Sequence, residues 1–268
     1  MFKISSLQNQ KVKQVVKLRE KRERDKTQTF LIEGYRELSR AVKGGVFLVS
    51  LFYSPDHFLG SNEKGLIQEI RKQGVEVFEV NKSVFEKISY RDRPDGLLAV
   101  ASQTPLSLKD LDSKLAKERP PFFLIAEAIE KPGNLGSILR SCDAAGVDAL
   151  LVCDRCTDVY NPNVVRASVG TLFTVPVLEV TSEEAIEWFR KRQIAIVATS
   201  PDAALSFTKA DLTGPLAVAM GTEQLGLSKK WMEASDIQVS IPMNGMADSL
   251  NVAAATTLLL YEVLRQRS

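Results

Sequence analysis

The chain has 268 residues, of which 44% are hydrophobic and 25% charged, the proportions of an ordinary globular protein of one large or two modest domains. Such a composition excludes a largely disordered chain. The N-terminus lacks the apolar core of a secretory signal, and no run approaches the roughly 18 apolar residues of a membrane span, so we expect a cytoplasmic protein.

Positive charge is concentrated at the N-terminus, in a predicted amphipathic helix from about Leu7 to Arg24. Residues 1–30 contain nine basic and three acidic side chains, a net charge of +6. The whole chain carries only +2, which leaves −4 for the remainder. A basic arm on a mildly acidic body favours a polyanionic partner, although a solvated helix face would show the same run.

The rest of the first segment alternates between short strands and helices, which predicts a small α/β module over residues 1–103. The predicted strands are Thr29–Ile32, Val46–Tyr53, Val75–Val80 and Leu97–Ala101, and the predicted helices are Tyr35–Lys43 and Glu63–Gln73. Residues 104–120 are polar, highly charged and contain Pro105 and Pro120, so we predict a linker there.

The second segment, residues 121–268, alternates apolar strands with helices regularly, which predicts a parallel sheet covered on both faces. The strands are predicted at Phe122–Ala126, Ala149–Val152, Thr174–Leu178, Ile194–Thr199, Leu216–Met220 and Ile237–Ile241, and a final helix at Ser249–Arg267. Because such sheets bind ligands at the carboxyl ends of their strands, functional residues are expected directly after these strands.

The cysteines do not predict a metal site. Cys153 and Cys156 form a C-x-x-C pair, but zinc would need two more ligands, and only His57 and Cys142 remain, far away in sequence. The pair follows a predicted strand rather than opening a helix, unlike a redox pair. We therefore interpret the cysteines as structural and expect no metal.

The loop after the first strand of the second segment contains Asn134, a predicted helix N-cap, and Arg140 further into that helix. Gly133 and Gly136 do not form the dinucleotide fingerprint, which disfavours a nicotinamide-dependent oxidoreductase. A cap explains Asn134, but it does not explain an arginine where a helix facing a sheet is normally apolar.

Two further loops carry polar residues. Gly221 and Gly226 have the spacing of half a P-loop, but Leu227 replaces its lysine and Glu223 would repel a triphosphate, so nucleotide hydrolysis is disfavoured. Ser249 and Asn251 stand at the start of the final helix, where capping explains one of them but not readily both.

These residues together resemble the three motifs of the SpoU/TrmH methyltransferases of the SPOUT superfamily. The matching segments are residues 134–140, 220–227 and 241–253, in the family's order across about 120 residues, with 161–170 resembling its intervening helix. The N-terminal segment resembles the L30e-like substrate-binding domain often attached to this family. Lys131 departs from the family, many members of which carry aspartate there.

The resemblance implies an RNA ribose 2′-O-methyltransferase with a trefoil knot in the C-terminal domain, a homodimeric assembly and S-adenosylmethionine as methyl donor. The positions that match the family's functional polar residues are Asn134, Arg140, Glu223, Ser249 and Asn251. Those that match its donor-binding backbone are Gly221, Ile241 and Leu250, with Met243 by adjacency. Arg140 is expected to activate the hydroxyl, as a base or as a group that binds phosphate and stabilises the alkoxide.

RNA is the polyanion that this resemblance implies for the basic arm, whose candidate contacts are Lys11, Lys13, Lys17, Arg19, Arg22 and Arg24. Ribosomal RNA, specifically 23S rRNA, is favoured because the attached N-terminal domain is typical of members that act on large RNAs. The alternatives are methylation of tRNA, methylation of a base, and a non-catalytic RNA-binding or ribosome-assembly protein.

Overall fold

The computed structural model describes residues 2–113, 119–154, 157–222 and 224–268. The strands are β1 (Phe2–Ile4), β2 (Thr29–Glu33), β3 (Leu48–Tyr53), β4 (Glu76–Val80), β5 (Leu97–Ser102), β6 (Phe122–Glu127), β7 (Ala149–Cys153), β8 (Val177–Val180), β9 (Ala195–Thr199), β10 (Leu205–Ser206), β11 (Leu216–Met220) and β12 (Ile237–Ser240). The α-helices are α1 (Gln10–Lys17), α2 (Lys21–Thr27), α3 (Tyr35–Lys43), α4 (Glu63–Lys72), α5 (Lys82–Ile88), α6 (Leu108–Asp112), α7 (Pro132–Ala145), α8 (Pro162–Ser168), α9 (Ser182–Lys191), α10 (Lys229–Ala234) and α11 (Val252–Arg267). None of the described helices is both long and apolar enough to cross a membrane.

The chain forms two compact units, and each has its own sheet. The first unit contains residues 1–104 and 158–174, and the second contains residues 105–157 and 175–268. Helix α8 therefore belongs to the first compact unit, although its sequence lies between the motifs of the C-terminal segment.

The first unit is built on a mixed five-stranded sheet in the order β1-β4-β3-β5-β2. Strands β1, β4 and β3 are parallel, whereas β5 runs antiparallel to both β3 and β2. A core of aliphatic and aromatic side chains covers one face, where Val12, Val15 and Leu18 pack with Phe52 and Phe85. The predicted α/β module is thus present, with β1 and α5 as elements that the sequence analysis omitted.

The single N-terminal helix predicted from Leu7 to Arg24 is wrong, because the chain forms two helices, α1 and α2, with a break at Leu18–Glu20. The buried guanidinium of Arg24 explains the break. Its Nη1 donates to the backbone oxygens of Leu18 at 2.9 Å and Arg19 at 2.7 Å. Those carbonyls lie just beyond the end of α1, where a helix leaves its last acceptors without partners.

The second unit contains a seven-stranded sheet, β10-β12-β9-β11-β6-β7-β8, in which every paired strand is parallel. Its central strands β6, β7 and β11 are buried along their whole length, as expected for a parallel sheet covered on both faces. This confirms the predicted fold class, while the trefoil knot stays a prediction. Strand β8 begins three residues later than predicted, because Thr171–Phe173 form a short 3-10 helix before it.

Candidate functional site

Four adjacent strands, β12, β9, β11 and β6, end at one edge of the parallel sheet. The register aligns their ends, because Met220 pairs with Ala126 and Thr199 pairs with Val239. The three predicted motif loops follow β6, β11 and β12, so the sheet order brings them to a common edge although up to 117 residues separate them. This edge is where parallel α/β sheets bind ligands.

Asn134 is not the N-cap that the sequence predicted. Helix α7 begins at Pro132, its N-cap is Lys131 without a side-chain capping bond, and Asn134 is the third residue of the helix. Proline suits the first helical position because its missing N–H would have no helical partner there. The structure thus assigns the cap position to Lys131 and places Asn134 within the first turn of the helix.

Asn134 and Asn251 bring the first and third motifs into direct contact. Asn251 is the N-cap of α11, and its Oδ1 accepts the Ala253 amide at 3.0 Å. Its Nδ2 donates to Oδ1 of Asn134 at 3.1 Å. Asn251 thus caps its helix with one atom of its amide and joins the two motifs with another, so capping alone does not account for its contacts.

Helices α7 and α11 pack against each other beyond this amide pair. The hydroxyls of Ser141 and Thr257 are 2.7 Å apart, and Thr257 Oγ1 also donates to the backbone oxygen of Ala253 at 2.8 Å. These bonds fix the relative height of the two helices and therefore the position of Asn134 against Asn251.

Arg140 lies in the third turn of α7, on an exposed face. Its guanidinium makes no hydrogen bond or ion pair with any residue that the structure describes. An arginine fork without an internal partner retains all its donors for a ligand such as a phosphate. The sequence analysis expected Arg140 on the side of its helix that faces the sheet, whereas the structure places it on the exposed side, and its role stays a prediction.

The second motif forms a loop closed on itself. Thr222 and Gly226 exchange two backbone hydrogen bonds of 3.0 Å, and Thr222 Oγ1 accepts the Leu225 amide at 2.9 Å. Gly221 lies so close to the other side of the loop that an added Cβ would lie 2.1 Å from the Gly226 carbonyl carbon. A glycine is therefore obligatory at 221. Glu223 lies outside the described residues.

The third motif loop is largely exposed. Ile241 and Met243 are half-buried, whereas Ser249 and Leu250 are exposed. Ser249 precedes α11 rather than opening it, because the helix begins at Val252, three residues later than predicted. The structure thus brings Gly221, Ile241, Met243, Ser249 and Leu250 to loops at one edge of the sheet.

Glu127 is a residue at this edge that the sequence analysis did not select. It is the last residue of β6, is 5% exposed, and its Oε2 accepts the Ser228 amide at 2.7 Å. The available signal was a carboxylate ending a strand of otherwise apolar residues, a composition that usually requires a buried partner.

Two of the cysteines that the sequence analysis interpreted as structural lie in the second unit, Cys142 in α7 and Cys153 at the end of β7. Cys142 and Cys153 are buried, and burial raises the pKa of the Cys142 thiol well above its usual value. A thiol that stays protonated is a poor nucleophile and metal ligand, which supports a structural role. Cys156 lies outside the described residues. Among the described residues there is no cluster of His, Cys, Asp and Glu that could hold a metal ion.

Three of the six predicted RNA-binding side chains of the first unit are exposed, and the other three have partners within the fold. Lys13, Lys17 and Arg22 are exposed. Lys11 forms an ion pair with Glu76 at 2.8 Å and lies over the Phe78 ring.

The two remaining arginines have internal roles. Arg19 donates to the backbone oxygens of Lys87, Ile88 and Ser89 at the end of α5. Arg24 is only 2% exposed and forms an ion pair with Asp158. Arg24 is therefore removed from the candidate RNA surface, because its donors are committed to the fold.

The arrangement in the second unit suits transfer chemistry on a hydroxyl near a phosphate. Arg140 is exposed on α7, and the Asn134–Asn251 amide pair joins the first turn of α7 to the start of α11. The loops of the second and third motifs lie at the same edge of the sheet. Leu225 is 87% exposed, Met246 is fully exposed and Leu250 is 39% exposed on these loops. Such apolar side chains fit an adenosyl or thioether group better than a polyphosphate.

Comparisons with known proteins agree with this geometry. The family model described as "SpoU rRNA Methylase family" matches residues 121–261, and that of an MRM3-like substrate binding domain matches residues 9–99. A 23S rRNA (uridine(2479)-2′-O)-methyltransferase of Streptomyces viridochromogenes is 33% identical over 244 residues, covering 89% of this chain and 83% of that protein.

Two further relatives are similar over almost their whole length. The 23S rRNA (guanosine(2553)-2′-O)-methyltransferase RlmP of Bacillus subtilis is 28% identical, covering 98% of this chain and 99% of that protein. The crystal structure of an AdoMet-bound rRNA methyltransferase from Sinorhizobium meliloti superposes with a TM-score of 0.89 at 30% identity, covering 98% of this chain and 97% of that one. The family model spans more than half of the sequence, and the chain belongs to the SpoU rRNA methylase family.

Proposed function

We propose that this chain transfers a methyl group from S-adenosylmethionine to a ribose 2′-hydroxyl of 23S ribosomal RNA. The observation that carries the proposal is the Asn134–Asn251 amide pair on the helix that presents Arg140, at the loop edge of the sheet. Family membership and relatives named as 23S rRNA 2′-O-methyltransferases support it. Acting on ribosomal RNA, the enzyme would work in the cytoplasm.

S-adenosylmethionine supplies a methyl group already activated by its sulfonium, so the protein has to align the nucleophile and handle one proton. Residues Gly221, Ile241, Met243 and Leu250 would hold the donor, largely through backbone groups and apolar side chains. The exposed leucine and methionine side chains at these loops fit such a group, and the missing P-loop lysine fits a donor without phosphates.

Arg140 binds an RNA phosphate beside the target ribose and stabilises the developing alkoxide. A guanidinium in a protein almost always carries its proton, so electrostatic stabilisation is the main contribution of Arg140. Asn134 and Asn251 orient the arginine and the ribose, because their amide pair fixes the first turn of α7 against α11. Ser249 and Glu223 complete the proposed set of polar residues.

The first unit supplies the RNA-binding surface through Lys13, Lys17 and Arg22, with a smaller contribution from Lys11 and Arg19, which have partners within the fold. Residues 1–103 act as the substrate-binding domain, 104–120 as the linker and 121–268 as the methyltransferase domain. Contacts of this kind give RNA affinity that depends strongly on salt and weakly on sequence.

The enzyme acts as a homodimer through α11. Its exposed face presents Ala254, Leu258 and Tyr261, spaced by four and three residues, and Leu250 precedes it. Leu258 is 43% and Tyr261 is 50% exposed, a large apolar stripe for a surface helix. Leu258→Glu should convert the dimer to a monomer in light-scattering measurements, and an unchanged mass would refute this interface.

The function is tested by incubating the protein with labelled S-adenosylmethionine and total cellular RNA, and by mapping the label through protection of the ribose from alkaline cleavage. Label at one protected position in 23S rRNA is the expected result. Label in tRNA, or on a base, would replace the substrate or the acceptor atom. Donor binding without transfer to any RNA, including ribosomal precursor particles, would favour a non-catalytic RNA-binding protein.

A further inference from the structure

The closed loop of the second motif is held to the rest of the second unit at both of its ends. One attachment is strand β11, from which the chain enters the loop at Gly221. The other is the bond from the Ser228 amide to Glu127 Oε2 at 2.7 Å, where the chain leaves the loop. Between these points the Thr222–Gly226 pairing and the tight approach of Gly221 close the loop on itself. The side chain of Leu227, which is 9% exposed and packs in the core of the unit, is a further anchor beside Ser228. The bond to Glu127 therefore orients the backbone where the chain leaves the loop, next to a side chain that the core already holds.

Glu127 stands at the junction between this loop and the first motif. The next residue, Ala128, has φ +53°, a left-handed conformation that is uncommon for a residue other than glycine. Its amide donates to the Cys153 backbone oxygen at 3.1 Å, which holds the turn. The chain leaves β6 sharply, so the Glu127 carboxylate bonds to the second motif loop while the segment that leads to the first motif begins at the adjacent residue.

Helix α10, which follows the loop, has an anchor that is independent of Glu127. The fully buried Trp231 donates from Nε1 to Ser182 Oγ at 2.7 Å, and Ser182 Oγ donates to Asp154 Oδ2 at 2.5 Å. Loss of the Glu127 bond would consequently leave α10 in place and remove the acceptor of the Ser228 amide, while the Leu227 side chain stays in the core. The carboxylate is thus specific to the loop rather than to the packing of the helix.

We infer that Glu127 is a positioning residue for donor binding: its carboxylate holds the second motif loop in the orientation that receives the methyl donor, without contacting donor or RNA. This inference rests on the proposed function, because it assigns Glu127 to the donor loop of that same site. Removing the Glu127 carboxylate would leave the Ser228 N–H without its acceptor. The unsatisfied N–H destabilises this end of the loop and allows the loop backbone to tilt.

The test compares three variants of the full chain. Glu127→Ala removes the acceptor, and Glu127→Gln keeps an amide oxygen at nearly the same position. Asp236→Ala is the matched control, since Asp236 Oδ2 accepts the Ile196 amide at 2.8 Å where β12 begins, at the opposite edge of the sheet. S-adenosylmethionine and its demethylated product S-adenosylhomocysteine are titrated by calorimetry, with hydrogen exchange of the Ser228 amide as a structural readout.

We expect Glu127→Ala to weaken binding of both ligands at least tenfold and to accelerate exchange at Ser228, with the KM for RNA unchanged. Glu127→Gln should stay within threefold of the parent, and Asp236→Ala should lower the melting temperature without changing donor affinity. If Glu127→Ala does not fold, Glu127→Asp, which retains the charge but is one methylene too short, should show the same tenfold loss.

Parent-like donor affinity in Glu127→Ala would overturn the inference, and so would equal losses in Glu127→Gln and Glu127→Ala or in the Asp236→Ala control. The proposed function fails in a different experiment, when the unaltered chain neither binds the donor nor methylates RNA. The two failures are therefore distinguishable.

Discussion

Replacing Gly221 by alanine should open the second motif loop. The new Cβ would lie 2.1 Å from the Gly226 carbonyl carbon, 2.2 Å from its oxygen and 2.3 Å from the Leu227 nitrogen, whereas ordinary contacts begin at 3.4 Å. All three neighbours are backbone atoms, so no side-chain rotation can relieve the overlap. The loop has to move by about 1.3 Å, the difference between 2.1 and 3.4 Å.

That displacement would break the two 3.0 Å hydrogen bonds between Thr222 and Gly226. With about 1 kcal/mol for each bond and a comparable cost for the misplaced donor-binding backbone, the loss is about 2–3 kcal/mol. This corresponds to about 30- to 150-fold weaker binding of S-adenosylmethionine. Because the loop lies at the edge of the sheet, the melting temperature should decrease by only a few degrees.

Calorimetric titration with S-adenosylmethionine measures this loss, and thermal unfolding measures the global stability. The matched control is Gly214→Ala on the other side of β11, where an added Cβ meets nothing within 4 Å. Parent-like donor affinity in Gly221→Ala would refute the reasoning that the loop is closed by this contact. A parallel loss in Gly214→Ala would show that the effect does not come from the overlap.

Three further predictions concern single side chains. Arg140→Lys keeps the charge but loses the bidentate fork, so kcat should decrease about 100-fold or more with donor affinity unchanged; near-full activity in RNA methylation would refute both proposed roles. Asn251→Asp keeps the cap on Ala253 but cannot donate to Asn134, so it should lose activity without losing stability, whereas Asn251→Ala should also lower the free energy of unfolding by about 1 kcal/mol; equal stability losses in denaturant titrations would favour capping alone. Arg265 and Gln266 hold the pKa of Glu262 down to about 2 from 4.5, so its contribution to stability is present above pH 4.5 and is lost as the pH falls toward 2. Glu262→Gln should therefore flatten the stability profile in that window by about 1–3 kcal/mol, and parallel acid unfolding curves would contradict this.

The sequence alone was sufficient for the architecture of the second unit. Apolar strands of five or six residues that alternate with helices predict a parallel sheet buried on both faces, and the strands Leu216–Met220 and Phe122–Glu127 are found where the pattern predicts them. The same pattern placed the polar residues directly after the strands. The resemblance then supplied the chemistry, since no periodicity distinguishes a methyl donor from another ligand.

Helix boundaries and side-chain partners required the tertiary structure. The charge pattern of the N-terminal arm predicts RNA contacts for both Arg22 and Arg24. In the structure Arg22 is exposed, whereas Arg24 is buried against Asp158, 134 residues away. The break between α1 and α2 depends on this burial, because the Arg24 guanidinium donates to the backbone oxygens of Leu18 and Arg19, just after the end of α1.

The site shows the same limit. The sequence identified Asn134, Arg140 and Asn251 as individual polar residues, but it assigned Asn134 to a cap that the fold gives to Lys131. The bond between Asn134 and Asn251 and the bond from Ser228 to Glu127 join residues 117 and 101 positions apart. A local pattern determines which face of a strand or helix a residue occupies, whereas the order of strands in the sheet determines which residues meet. The kinds of groups at the edge of the sheet therefore follow from the amino-acid sequence alone, whereas their partners follow from the tertiary structure.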